Sequence, residues 1–545
     1  MSHSYDGHDY LSYPQIIDFC TQLSKDYPDW IELRTIGKTT LETPIVMLVI
    51  GKNPQNTPVF WMDGGTHASE WTGVMACLYA ASQWAKELDT PEGCHWFTHN
   101  GVAIVPCVSP DGYQALFTGT PFLRSSLRLP LAGTQRIGLD PHDINGSGNV
   151  RFMRWCHPSG PYCLDETAPL GLRKRRLNDP PEQAYFLCPE GSFLEWDGVS
   201  YKTASLKHGI DLNRNFPVLW SPFSMFGMDA GMYPLSEPES RALTDALASF
   251  KTVCAVLSNH TYTGALLTQP YHPDSVLPAS DIDLMQELAD QAVHTSHYRT
   301  IKVYPDFVYD PKKRIIGVWA DFVSSNMGIP AYTLELWNPF EWAGVEIKKP
   351  AEFFGHPDPN IVNGMLKKAC SEAPVPWTSF AHPQLGEVEI GGFVYLKTIR
   401  NPPPSLLQKE CEHGLIVANN LRKSMPIIHL SHDITPLPNG WFSVCIILEN
   451  QGFLSSVITE RAHGLSLAAK PKVTLKDNPG PSPDIQYLPV LEGWGTGLYK
   501  QNAVYPNLSA RSPRSSATFV LPKGDYRFHW DAGRGGSGVH HVTLS

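Results

Sequence analysis

The sequence predicts an α/β domain followed by a separate all-β domain, and three observations carry that expectation. Up to about Leu336, apolar runs of strand length alternate with amphipathic helical stretches. From about Ile427 the texture changes to short strand-like runs separated by Pro, Gly and Asn. Hydrophobic residues make up 42% of the 545 residues and charged residues 18%. That is apolar material for two to four domains at roughly 150 residues each, with too little charge for a disordered chain.

In chain order, Tyr13 to Tyr27 reads as a helix because Ile16, Phe19, Cys20 and Leu23 recur at helical spacing. Ile31 to Ile36 and Pro44 to Ile50 are strand-like. Pro58 to Met62 is nearly continuously apolar, as a strand covered on both faces would be, and runs into the turn Asp63-Gly64-Gly65-Thr66. A helix starts near Gly73, with Val74, Cys77, Leu78, Ala81 and Ala85 on its apolar face. Val102 to Val108 is another buried strand, closed by Pro110-Asp111-Gly112. Residues 130–205, dense in Gly, Pro and charge, read as a long loop-rich insertion. Val253 to Ser258 and Ala331 to Leu336 return to strands, with a helix over Ile282 to His297 between them. Leu406 to Leu421 is one more helix. Beyond it, Ile427 to Leu430, Trp441 to Leu448, Ser456 to Thr459, Ala517 to Leu521 and Tyr526 to Trp530 are the strand candidates of a β-sandwich. The expected division is a first domain over residues 1–424, with the insertion at about 130–205 and a connecting hairpin and helix at about 380–424, then a sandwich over 425–545.

Composition excludes several classes. Lys and Arg number 43 against 53 Asp and Glu, a net charge of −10, so a generally basic nucleic-acid coat is ruled out. No stretch approaches roughly 18 apolar residues, so no membrane helix is expected. Asp6, Asp9 and Asp18 interrupt the first twenty residues, which leaves no apolar run of signal-peptide length. A cytoplasmic protein with no propeptide to remove is expected. The 11 cysteines include no CxxC pair, so free thiols of a reducing compartment are expected. Asp143-x-Asn145-x-Ser147-x-Asn149 alternates oxygens like a calcium loop, but Arg154 stands where the bidentate Glu belongs, so a Gly/Asn turn is expected.

The sharpest chemical signal is Thr66-His67-Ala68-Ser69-Glu70-Trp71, on the loop between a buried strand and a helix. His67 and Glu70, three apart, fall on one face of a helical turn. An imidazole nitrogen and a carboxylate oxygen so placed can reach one zinc ion at about 2.0–2.2 Å. A catalytic zinc usually takes a third protein ligand from elsewhere. His260 is the candidate, because it ends the strand-like run Val253-Cys254-Ala255-Val256-Leu257-Ser258-Asn259, and sites on α/β sheets gather at the carboxyl ends of strands. By itself His-x-x-Glu is common in a chain with 21 His.

Four further motifs follow in order: Pro110-Asp111-Gly112-Tyr113, Asp211-Leu212-Asn213-Arg214-Asn215-Phe216, Asn259-His260-Thr261-Tyr262 and Thr333-Leu334-Glu335-Leu336. Together with the first they resemble the zinc carboxypeptidase family (the carboxypeptidase A type) over roughly residues 10–375. The resemblance implies a mixed, mostly parallel eight-stranded sheet flanked by helices. It also implies one zinc ion held by His67, Glu70 and His260, and Glu335 as general base for a zinc-activated water. Asn213 and Arg214 would clamp the terminal carboxylate of a peptide or protein substrate, and Asp211 would orient the first His ligand. The physical chemistry agrees with these implied roles, since Arg binds a carboxylate in bidentate fashion and only a chain end supplies one.

The family places an oxyanion Arg shortly after Pro-Asp-Gly-Tyr; Arg124 matches, with Arg128 and Arg154 as rivals. A mobile Tyr is implied between His260 and Glu335; Tyr309 fits and Tyr304 competes. Three departures stand out. Ser69 replaces an Arg of the digestive enzymes, the spacing from Glu70 to His260 is long, and counting from Asp321 puts Ala320 at the floor of the specificity pocket, which argues for an apolar or aromatic terminal residue. The reading is a metallocarboxypeptidase, with an N-acyl amino acid deacylase of related fold and a non-catalytic peptide-binding protein as alternatives.

Overall fold

The computed structural model describes residues 4–129, 135–165, 171–222, 224–225, 227–309, 314–347, 349–355, 357–499 and 512–545. Its centre is an eight-stranded sheet of β1 (Ile31–Lys38), β2 (Pro44–Ile50), β3 (Val59–Gly64), β4 (Gly101–Val105), β5 (Val253–Thr261), β6 (Ala265–Thr268), β7 (Arg299–Lys302) and β8 (Ala331–Leu336). The spatial order is β1-β2-β4-β3-β5-β8-β6-β7. The middle run β4-β3-β5-β8 is parallel; β2 on one side and the parallel pair β6-β7 on the other run against it, and edge strand β1 pairs antiparallel with β2. Every residue of β3 and β5 is buried, which explains their continuous apolar runs: both faces are covered by helices.

One face packs against α1 (Tyr13–Asp26), α2 (Trp71–Glu87), α4 (Ala279–Val293) and α6 (Pro404–Arg422), through residues such as Ile16, Val74, Leu284 and Leu407. The other packs against α3 (Pro238–Ala248) and α5 (Trp319–Met327), through Leu243, Trp319 and Val323. Alternation along β8 sorts its side chains. Tyr332, Leu334 and Leu336 enter the first core, so Glu335 falls on the opposite face with Ala331. The register sets His260 of β5 beside Glu335 of β8, and Asn259 beside Gly64 of β3. This is the mixed eight-stranded α/β sheet that the resemblance implies.

The insertion departs from the loop-rich expectation. Residues 130–134 and 166–170 of it lie outside the described residues. In the rest, Phe152–Cys156, Tyr162–Leu164, Leu172–Lys174 and Tyr185–Pro189 form strands of a six-stranded antiparallel sheet completed by the hairpin Val375–His382/Gly386–Gly392. These strands are short, and the edge that extends them comes from more than 200 residues away, so no local periodicity announces them. The Asp143 segment is a turn, its carboxylate accepting the amide N–H groups of Ser147 (3.0 Å) and Gly148 (2.6 Å).

The C-terminal region holds two facing sheets. Ile428–Pro436, Trp441–Asn450 and Arg514–Pro522 form one, and Lys472–Leu475, Ile485–Tyr487, Gly524–Asp531 and Ser537–Leu544 the other. Val444, Ile446, Val473, Phe519, Phe528 and Val542 from both sheets share one core. Ser456 to Thr459, expected as a strand, instead straps this region to the α/β layers. Ile458 joins the main core, and the Thr459 hydroxyl donates to Gly328 O at 2.7 Å. Arg534 is a further tie, its guanidinium buried and donating to Met327 O (2.7 Å) and Val253 O (3.2 Å). Burial pushes that guanidinium down to about 10. All eleven cysteines are unpaired.

Candidate active site

The site lies at the carboxyl ends of β3, β5 and β8, where open α/β sheets place their ligands. Gly65, at φ +67°, turns the chain out of β3. A Cβ there would lie 2.9 Å from Val74 and 3.1 Å from Cys107, so only glycine gives this turn beneath α2. The loop then delivers His67 and, at the N-terminal boundary of α2, Glu70. His260 is the penultimate residue of β5.

These three side chains, each at most 3% exposed, converge. Their potential ligand atoms lie within 4.8 Å of one another. His67 Nδ1 is 2.9 Å from Glu70 Oε1, His260 Nδ1 is 2.9 Å from Glu70 Oε2, and the two Nδ1 atoms are 3.0 Å apart. The far nitrogens are engaged elsewhere. His67 Nε2 is 3.2 Å from Asp211 Oδ1, and His260 Nε2 is 3.2 Å from Ser258 Oγ, whose hydroxyl donates to Asp63 Oδ1 at 2.5 Å. With the ring protons assigned to Nε2 by these partners, both Nδ1 lone pairs and a carboxylate face one point. Such convergence of lone pairs suits a cation, and two imidazoles with one carboxylate fit zinc.

The charges around this point are displaced from their ordinary ranges. Burial would raise the Glu70 carboxyl, but His67, Arg400, Arg124 and His260 outweigh it and hold it well below the usual carboxylate range. Asp211 is likewise held low, Arg124, His67 and Arg214 overcoming its burial. Glu335 goes the other way. Burial and then the charge of Glu70 push it up to about 7, against the pull of His260, Arg400 and Arg124. Asp63 is raised by burial, opposed by hydrogen bonds from Ser258, Trp319 and Trp61.

A cavity of about 350 Å³ opens here, lined by Glu70, Arg124, Arg214, Tyr309, Glu335 and Arg400 on its polar side and by Met228, Phe307 and Phe354 on its apolar side. Arg124 Nη1 donates to Glu70 Oε1 at 2.9 Å and its Nε to Asp211 Oδ2 at 3.4 Å. Its loop is seated by the Pro-Asp-Gly-Tyr motif: a Cβ on Gly112 would lie 1.8 Å from Ser125 O and 2.9 Å from Ala68 Cβ. The rivals are engaged elsewhere. Arg128 pairs with Glu237 at 2.8 Å, and Arg154 with Glu389 at 2.8 Å while lying over Trp377. Arg214 lines the cavity and donates from Nη1 to Asn213 O at 2.7 Å. Asn213 is buried beside it, its side-chain Oδ1 accepting the Trp319 amide at 2.9 Å. Tyr309 lines the cavity and packs near Phe307 and Phe354; Tyr304 is 39% exposed on the surface. Ala320 is fully buried in the core of α5 and is not among the lining residues, so the apolar lining comes from Met228, Phe307 and Phe354 instead.

Sequence reasoning missed three residues. Asp63 was read as part of a turn, yet it ends a fully buried strand and anchors Ser258, a signal that an acid closing an apolar run could have given. Arg400 is 7% exposed, and its Nη2 donates to Glu70 Oε1. Asn401 beside it accepts from Thr72 N at 2.9 Å and donates to Ser69 O at 2.9 Å, so this segment clamps the loop that carries the Glu70 carboxylate. Neither lies within reach of the recognised motifs, and nothing local distinguishes them from surface polar residues.

Comparison with known proteins adds the following. A family model described as zinc carboxypeptidase matches residues 16–146 and 185–349, more than half of the chain. Carboxypeptidase B of Bos taurus is 30% identical over 223 residues, 39% of this chain and 52% of that protein. Mast cell carboxypeptidase A of Rattus norvegicus is 23% identical over 311 residues, 55% of this chain and 57% of that protein. The chain thus spans about half the length, or less, of the curated relatives it matches. The crystal structure of carboxypeptidase A from Helicoverpa armigera aligns with a TM-score of 0.41 at 18% identity, covering 68% of this chain and 76% of that one.

Proposed function

Because this chain belongs to the zinc carboxypeptidase family, we propose that it is a metallocarboxypeptidase that hydrolyses the C-terminal peptide bond of peptides or proteins. The observation that carries the reading is the presence of Arg214 and Glu335 in the same cavity as the His67–Glu70–His260 cluster. Zinc bound by that cluster would act as a Lewis acid and lower the pKa of water to about 7.

The chain's own residues supply the rest. Arg214 receives the terminal carboxylate through its planar fork, with Asn213 O steadying one end of the guanidinium. Tyr309 closes over the bound terminus, and Met228, Phe307 and Phe354 receive its side chain. Glu335 takes a proton from the attacking water onto a carboxylate oxygen and passes it to the leaving amine nitrogen, a role that suits a carboxyl raised toward neutrality. Arg124 presents N–H donors to the oxygen that gains charge. Arg400 holds the Glu70 carboxylate in place, and Asp211 fixes the tautomer of His67.

The test is a mixed peptide library incubated with the zinc-loaded protein, the products read by mass spectrometry, with Glu335→Gln as control. Stepwise loss from free C-termini in the wild type only, with C-terminally amidated copies left intact, is the expected result. One zinc per chain without cleavage would sink the reading and make N-acyl amino acids the next substrates.

A further inference from the structure

Beside the catalytic cavity lies a larger one, of about 550 Å³. Phe122 and Leu206 line both spaces, and Trp71, next in the chain to Glu70, lines the larger. The two cavities are neighbours across a shared wall. A peptide whose last residue rests against Arg214 leads its preceding residues away from the reacting centre, and the larger cavity is an adjoining space able to receive them.

Two parts of its wall lie outside the family match. Val150, Arg151 and Phe152 belong to the insertion between the matched segments, and Val394, Tyr395 and Leu396 lie beyond them. What this cavity selects is therefore a property of this chain. Its charge is unbalanced. Arg136, Arg151 and Lys207 line it against one acid, Asp140. Arg136 pairs with Asp140 and donates from Nε to Ser205 O at 2.8 Å, so those two charges cancel. Arg151 makes no ion pair among the described residues, and its Nε is buried without a hydrogen-bond partner. The buried Glu190 behind it accepts the backbone N–H groups of Arg151 (2.7 Å) and Ile144 (3.3 Å). Lys207 is exposed and makes no ion pair among the described residues. Two cations with no ion pair among the described residues therefore face one cavity, Lys207 exposed and Arg151 with the Glu190 carboxylate acting on it only from behind, a local potential that attracts anions in a chain of net charge −10.

We propose that this larger cavity is an upstream binding site that selects peptides carrying an aspartate or glutamate side chain within the few residues before the last, with Arg151 and Lys207 as its recognition residues. The inference rests on the reading of the adjoining site as a carboxypeptidase.

The test uses fluorescently labelled peptides that share one C-terminal residue and carry Glu, Gln or Lys at each of the four preceding positions in turn. Binding is measured by anisotropy on the zinc-loaded Glu335→Gln protein, which keeps the peptide intact, and cleavage on the wild type. The Glu peptide is expected to bind roughly tenfold more tightly than its Gln counterpart at the favoured position, as a charge-assisted hydrogen bond provides, with the ratio shrinking as salt rises. Adding Arg151→Glu and Lys207→Glu should turn the preference toward Lys, and the milder Arg151→Gln should reduce it without reversal. Equal binding of Glu and Gln peptides at every position, or a preference that survives the charge reversals, overturns the proposal. A Glu preference in binding with no cleavage by the wild type sustains it and overturns only the carboxypeptidase reading.

Discussion

The floor of the cavity that holds Arg214 and Glu335 and the wall beside it are held by different means. The floor stands on β3, β5 and β8, and the three groups of the candidate metal cluster have fixed partners: His67 with Asp211, His260 with Ser258, Glu70 with Arg124 and Arg400. The wall comes from residues 136–152, 189–208 and 394–396, on short strands and loops joined to a separate six-stranded sheet. On the proposed function, chemistry is placed by sheet register, which tolerates little change, whereas selectivity is placed by segments that can vary without moving a strand.

The comparison breaks most sharply at His260. His260→Ala removes one nitrogen of the cluster, and we expect loss of stoichiometric zinc with turnover reduced by more than about a thousandfold, since metal-ion catalysis provides several kcal/mol. Elemental analysis and kcat, with an unchanged far-UV circular dichroism spectrum, check this; full zinc occupancy would contradict it. Arg400 comes next, because it reaches the floor from outside the matched segment. Arg400→Gln should lower kcat/KM by roughly a hundredfold, mostly through kcat, and Arg400→Lys should recover only part because a point charge lacks the fork. Arg128→Gln, away from the cavity, is the control expected to leave kinetics unchanged.

A smaller effect sharpens the same contrast. Ser258→Ala cuts the link from His260 to Asp63, and zinc affinity measured by chelator competition should fall roughly 10- to 100-fold. Unchanged affinity would mean that the link does not tune the ligand. The smallest effect lies away from the site. Glu239, in the first turn of α3, is 1% exposed with Oε2 unpaired, and burial pushes it up to about 7 from an ordinary 4.5. The folded state then holds this proton more tightly than the unfolded chain. The stability this gives is complete below the unfolded value and is lost as pH rises through the folded one, by about 1.4 kcal/mol per pH unit in between. Glu239→Gln should therefore be more stable than wild type at pH 8, and the gain should fade toward pH 5, as read by urea unfolding at both. A gain independent of pH would point to packing instead.

Much of the floor was legible in the sequence. The apolar runs of β2, β3 and β8 were found within a residue or two, and five ordered motifs pointed to residues that converge in space. The Pro-Asp-Gly-Tyr motif was legible as a pattern but not as a cause, since its glycine matters only where Ser125 O approaches it. The choice of Arg124 over Arg128 and Arg154 needed the structure, because all three are arginines in loops or short strands and only their partners separate them. The strands of the insertion stayed hidden because they are three to five residues long and one of them, Phe152–Cys156, pairs with a hairpin at 375–392.

By itself the sequence determined the α/β core, the all-β texture after residue 427, and the identity and order of His67, Glu70, Arg214, His260 and Glu335, because buried strands and chemical motifs are written in local residue types. The tertiary structure alone decided that Arg400 joins them, that Asp63 supports His260 through Ser258, that Ala320 stays out of the cavity, and that Arg151 and Lys207 face a second cavity beside the first. Those assignments depend on which distant backbone lies alongside, and pairing across hundreds of residues leaves no period in the chain to read.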